Sequence, residues 1–203
     1  SRYSYSFISF RLGGTMDKQE LWEDLMFEIA STRIIKLGNR EEKVLLGVGN
    51  KAANLMFIGD DPSLYENGDG ETKKESSGEF FIKLCELIDL NKKEFYLTNV
   101  VKCNAKLSEM TEDEINFYKD ILEMEIALVN PKIIVPLGKE VANLLLEEDK
   151  KIDEIRGEVL EWRGGIKVIP IHAPSYLVKN EDKQKGGPRW LTWQDLKFIK
   201  GEV

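Results

Sequence analysis

Four short apolar runs punctuate this chain, and each leads into a polar, turn-prone segment. They are Asn54–Gly59 (NLMFIG), Glu94–Val101 (EFYLTNVV), Lys132–Gly138 (KIIVPLG) and Lys167–His172 (KVIPIH). Their β-branched and aromatic content, with turn residues on either side, predicts strands. Helical patterns separate them. Ile115, Tyr118, Leu122, Ile126 and Val129 recur at spacings of three and four, which gives one apolar face over residues 111–129. Thr111 followed by Glu114 is a capping-box pattern at the start of that helix. KEVANLLLEE after Gly138 and EFFIKLCELI after Gly78 also read as helices, and Trp190, Trp193, Leu196 and Ile199 line a last one. Strand–helix alternation of this kind predicts an α/β fold: a three-layer α/β/α sandwich around a central four-stranded, mostly parallel sheet covered on both faces.

In such folds ligands sit at the carboxyl ends of the strands. Three of those ends carry polar groups here: Gly59-Asp60-Asp61-Pro62-Ser63, Thr98-Asn99 and His172-Ala173-Pro174-Ser175. His172 is the only histidine of the chain. The segment from Asp60 to Glu79 is polar and without periodicity, and its place after the first strand favours a functional loop.

Composition narrows the class. A chain of 203 residues with a 42% hydrophobic and 32% charged share describes one ordinary globular domain. Residues 1–15 (SRYSYSFISFRLGGT) have no acidic residue and no signal-peptide centre, so they read as a leader or tag, with 16–203 as the domain. No apolar run approaches the roughly 18 residues of a membrane span, so no membrane partner is expected. Cys85 and Cys103 form no C-x-x-C pair, which suggests a reducing, cytoplasmic compartment. A net charge of −7 argues against a partner held by long-range attraction alone. A local basic edge remains in KNEDKQKGGPR, Lys179 to Arg189.

The order G-D-D-P-S, T-N-V-V-K-C, I-I-V-P-L-G and H-A-P-S-Y-L, each at a predicted strand end, resembles the uracil-DNA glycosylase superfamily, and within it family 4, the iron–sulfur type. The resemblance runs in order from about Leu21 to Leu196. It implies a DNA partner, base flipping and hydrolysis of an N-glycosidic bond. Family 4 holds a [4Fe–4S] cluster with four cysteines. Here the amino-terminal pair falls on Ser31 and Ile34, and another falls on or beside Tyr118, so only Cys103 remains. One thiolate cannot hold such a cluster. No metal and no cofactor are expected, and Tyr118 and Ile34 are the natural fillers of the space.

The resemblance also assigns candidate residues. Family 4 has a glutamate at the position of Asp60, and family 1 has its water-activating aspartate at that of Asp61. Either carboxylate can stabilise a cationic sugar or orient water. Asn99 matches the asparagine that reads uracil, its amide offering one donor and one acceptor to the base edge. The family histidine stands directly before proline, whereas Ala173 intervenes here. His172 is therefore either catalytic, if the loop has absorbed one residue, or structural. A phenylalanine that stacks on the flipped base falls, by gap-free counting from Gly59, on Lys73. That exchange points to a pocket for a bulkier, more polar base than uracil, such as a modified pyrimidine in foreign DNA. PSYLVKN would lie against the duplex: Ser63 and Ser175 on phosphates, Tyr176 or Leu177 as a wedge, and Lys179 and Arg189 on the backbone.

The leading expectation is a monomeric, monofunctional DNA glycosylase with catalytic Asp60, Asp61 and His172 and base-binding Asn99 and Lys73. The alternative is a catalytically inactive DNA-binding protein on the same fold. A small-nucleotide hydrolase is disfavoured because no G-x-x-x-x-G-K appears.

Overall fold

The computed structural model describes residues 17–36, 44–66 and 71–203. Its strands are β1 (Val48–Gly49), β2 (Leu55–Gly59), β3 (Phe95–Asn99), β4 (Ile133–Pro136), β5 (Leu160–Trp162) and β6 (Ile166–Val168). Its α-helices are α1 (Lys18–Lys36), α2 (Ser77–Leu87), α3 (Glu112–Val129), α4 (Lys139–Leu146), α5 (Ile152–Ile155), α6 (Pro174–Lys179) and α7 (Pro188–Glu202). The segment expected to be a leader or tag lies outside the described residues, as does the side chain of Ile34.

The sheet is six-stranded and mixed, in the order β1-β3-β2-β4-β6-β5. This corrects the expected four strands. Neighbours β3, β2, β4 and β6 pair parallel, while β1 and β5 add antiparallel edges. The two edges escape sequence reading because they are two and three residues long, too short for a period to show. β5 returns to β6 through Arg163-Gly164-Gly165, where both glycines take positive φ (70° and 77°), a conformation that side chains rarely adopt. β6 ends at Val168, just ahead of Pro170. Pairing nevertheless continues: Ile169 N donates to Ile134 O, and Ile171 bridges Leu137 in parallel.

Alternating side chains divide the core in two. Met56, Ile58 and Tyr96 face α1 and α3, whereas Leu55, Phe57, Phe95 and Leu97 face α2 and α7. Helices therefore cover both faces of one sheet. The capping box of α3 is formed as the pattern predicts: Glu114 N donates to Thr111 Oγ1 (3.2 Å) and Thr111 N to Glu114 Oε1 (3.1 Å). One expectation for α7 fails. Trp193 points to solvent, and Thr192 and Asp195 are buried beside Leu196 and Ile199 instead. Asp195 is inside because Arg156, at the end of α5, meets it with two parallel bonds of 2.8 and 2.9 Å.

Register places the site. Gly59 lies opposite Asn99, Ile58 opposite Pro136, and Leu137 opposite Ile171. The carboxyl ends of all four parallel strands thus reach one level, with Asp60 and His172 one step beyond.

Candidate active site

A cleft of about 600 Å³ opens at that level. Its floor is Gly59, Leu64, Leu137 and Gly138, and its walls carry Asp60, Asp61, Glu140, Asp153 and His172. Lysines 106, 139 and 179 stand around it.

The two aspartates after β2 do different work. Asp61 is a brace: Oδ1 accepts from Ser63 N (2.9 Å) and Ser63 Oγ (2.7 Å), and Oδ2 accepts from Ser77 Oγ (2.5 Å). Both carboxylate oxygens are engaged in tying the turn to the first residue of α2. Asp60 has one bond, from Leu107 N to Oδ1 at 2.8 Å. Among the described residues its Oδ2 has no hydrogen-bond partner, and the side chain lines the cleft. Burial pushes its carboxyl up to about 6, and Glu140 and Asp61 act in the same direction against the Leu107 N–H and Lys106. Near neutral pH Asp60 is ionised and short of partners, the condition of a carboxylate awaiting a developing cation.

Asn99 is 2% exposed and holds the turn from below. Its Oδ1 accepts from Asp61 N (3.2 Å), and its Nδ2 donates to Asp61 O (2.9 Å). An amide offers two N–H groups and two lone pairs, so one of each remains. Gly59 is required beside it, because a Cβ there would come within 2.6 Å of Leu64 Cδ2 and 2.8 Å of Asn99 Oδ1.

His172 faces the cleft although Ala173 separates it from Pro174. The ring is 3% exposed, stacks on Tyr176 at 5.1 Å and 28°, and brings Nε2 to 4.0 Å from Asp153 Oδ1. Burial lowers its pKa, helped by Arg156 and opposed by Asp153 and Asp195. Pro174 starts α6 at its first turn, where a missing N–H costs nothing. The sequence expectation had PSYLVKN as a segment laid against a duplex, and its first six residues form α6. The helix sorts its residues. Ser175, Tyr176 and Lys179 line the cleft. Leu177 does not: it is 0% exposed within the core under α2 and α7, which removes it as a wedge.

Three more expected residues lie elsewhere. Lys73 is outside the cleft, its side chain 76% exposed and 4.0 Å from Glu66. Gap-free counting carried it to the family's stacking position, but the chain there runs along the surface before α2. Arg189 spends Nε on the carbonyls of Leu177 (3.0 Å) and Asn180 (3.1 Å) and lies over the Phe80 ring. Ser63 is exposed, yet its hydroxyl is bonded to Asp61 and lies 2.9 Å from that of Ser77.

Lys106, Lys139, Glu140 and Asp153 line the cleft without having been singled out by sequence. A signal existed for two of them. Lys139 and Glu140 come just after β4, beyond Leu137 and Gly138, and the rule that ligands gather at strand ends applies to that strand as well.

The residues present do not fit the iron–sulfur cluster that the resemblance implies. The chain has two cysteines. Cys103 is buried with the core of α1 and α3, Cys85 with that of α2 and α7, so the sheet separates them. Tyr118 Oη lies 3.9 Å from Cys103 Sγ, placing a phenol ring where further thiolates would converge. No group of three or more metal-ligating side chains occurs among the described residues.

The model of the uracil DNA glycosylase superfamily matches residues 46–197. A type-4 uracil-DNA glycosylase of Thermotoga maritima is 31% identical over 89% of this chain and 97% of its own length. That of Archaeoglobus fulgidus is 30% identical over 78% of this chain and 84% of its own. A third, from Sulfurisphaera tokodaii, is 27% identical over 88% and 83%. No described helix is long and apolar enough to cross a membrane. With the family model spanning most of its length and the strand ends converging on one cleft, this chain belongs to the uracil-DNA glycosylase superfamily.

Proposed function

We propose that this chain is a DNA glycosylase that draws a base out of DNA and hydrolyses its N-glycosidic bond, with uracil as the first substrate. The observation that carries the reading is Asp60, a carboxylate with an uncommitted oxygen in the cleft wall, facing the same space as His172. Water adds to C1′ as the C1′–N bond breaks, and the base departs with the bonding electrons. Asp60 stabilises the cationic sugar and orients the water, whose proton it can accept. His172, kept neutral by burial, can donate an N–H to the base as negative charge gathers on it. In place of the expected contact to the base, Asn99, which is 2% exposed and not among the residues lining the cleft, holds the Asp60-Asp61 turn. Asp61 supports the turn and takes no part in the chemistry. Lys106, Lys139 and Lys179 suit phosphates, with Ser175 and Tyr176 beside them. The reading treats residues 16–203 as one domain acting as a monomer in the cytoplasm, in keeping with two cysteines that form no disulfide.

A bulkier modified pyrimidine is a second reading. It is favoured by the cleft volume and by the absence of any aromatic lining it other than Tyr176 among the described residues. A base-release assay separates these. The protein is given duplexes carrying uracil, hypoxanthine, hydroxymethylated or glucosylated pyrimidine, and abasic sites are then cleaved and resolved. Release of uracil supports the first reading. Release of the bulky bases alone supports the second. DNA binding without release from any duplex would leave an inactive binding protein and refute both.

A further inference from the structure

Beneath the cleft lies an ion pair that the chemistry above does not use. Lys102 and Glu125 have side chains 1% and 2% exposed and are in direct contact, Nζ to Oε1. Removing two charges from water is costly, and such a pair is often no more stabilising than apolar residues of the same size. Its position suggests a use. Lys102 Nζ also donates to Thr98 Oγ1 (2.7 Å) and to the main-chain carbonyl of Asn99. Glu125 Oε2 accepts from Thr98 Oγ1 (2.9 Å) and Tyr96 Oη (2.7 Å). Asn99 is then held on every polar side. Its N donates to Tyr65 Oη (3.1 Å), its O accepts from Lys102, and its amide clasps the Asp61 peptide.

We propose that Lys102, anchored by Glu125, is a positioning residue for excision: its ammonium fixes the Asn99 carbonyl, and Asn99 in turn fixes the Asp60-Asp61 turn. The polar contacts run from Glu125 in α3 through Lys102 and Asn99 to the Asp61 peptide, which the backbone joins directly to Asp60. An ammonium is suited to this task because one group can serve a carboxylate, a hydroxyl and a carbonyl at once. The inference rests on the glycosylase reading, and its test separates the failure of one from that of the other.

The test uses Lys102→Met/Glu125→Gln, which removes both charges, roughly keeps volume, and leaves Thr98 Oγ1 and Tyr96 Oη an acceptor at position 125. Single-turnover release of uracil, affinity for DNA with a non-cleavable analogue, melting temperature, and deuterium uptake of residues 59–66 are measured. The expected result is a folded protein with unchanged DNA affinity, faster exchange in 59–66, and excision about 100-fold slower, as a shift of about an ångström can cause. Excision within twofold of wild type, or a loss of DNA affinity parallel to the loss of rate, would overturn the proposal. Should the double variant fail to fold, Glu125→Gln alone decides. Without its anchor Lys102 holds the Asn99 carbonyl less firmly, so faster exchange in 59–66 and slower excision at unchanged DNA affinity are expected, and exchange and excision within twofold of wild type would overturn the proposal. If wild type releases no base, the glycosylase reading fails, while exchange of 59–66 still judges the positioning.

Discussion

Asp60 and Asp61 are adjacent, chemically identical and separated in role by what lies around them. Ser63 and Ser77 saturate one, while burial raises the other to a pKa of about 6. Asp60→Asn should therefore lower single-turnover excision by at least about 100-fold with DNA affinity retained. On the proposed mechanism the ionised form acts, so excision should rise with pH through about 6, and Glu140→Gln should move that limb to lower pH by removing a neighbouring negative charge. Stability follows the opposite sign. A carboxyl whose folded pKa lies above its unfolded value of 3.8 destabilises the fold once ionised. Asp60→Asn should melt higher than wild type at pH 8, with the gain fading as pH falls through 6 towards 4, as a thermal series would record. The pair of aspartates was legible in the sequence, and their division of labour was not. The hydroxyl that completes the Asp61 brace comes from Ser77, far along the chain, and only folding brings it to 2.5 Å.

At the level of elements, the back of the cleft is held by a clamp between α5 and α7. Arg156 meets the buried Asp195 in parallel, and Gly157, at φ +74°, leaves room for that carboxylate, which a Cβ would approach to 2.5 Å. Arg156→Ala strands a buried charge and should cost about 3 kcal/mol in a denaturant titration. Arg156→Met/Asp195→Leu should cost clearly less, because no charge is then left without a partner. Elements of this kind are poorly legible beforehand. The helices α5 and α6 have four and six residues, fewer than two turns, so no period can emerge. That is why PSYLVK read as a surface segment and Leu177 as a wedge. Longer elements were legible: the 18 residues of α3 carry both their apolar face and their capping box in plain sequence.

Across the whole molecule, the chain keeps the architecture of a superfamily without the thiolates that the family 4 resemblance implies. Tyr118 fills the space beside Cys103. Tyr118→Ala should cost about 3–5 kcal/mol, as large aromatic truncations in a core do. Prolonged dialysis against an iron chelator should leave the melting temperature unchanged, since two cysteines on opposite faces of a sheet cannot share a cluster. The layering was legible because β2, β3 and β4 are buried on both faces and read as largely apolar runs.

The margins of the sheet have a consequence for handling the protein. A long exposed edge offers unpaired amides and carbonyls to which another chain can add itself. Here one margin is the two-residue β1, which contains Gly49 at φ +95°. The other is the three-residue β5, with Glu161 outward and a double-glycine bend after it. Neither is long or flat enough to recruit a neighbour, so concentrated solutions should stay free of fibrillar growth even though β2 and β4 at the centre are apolar throughout.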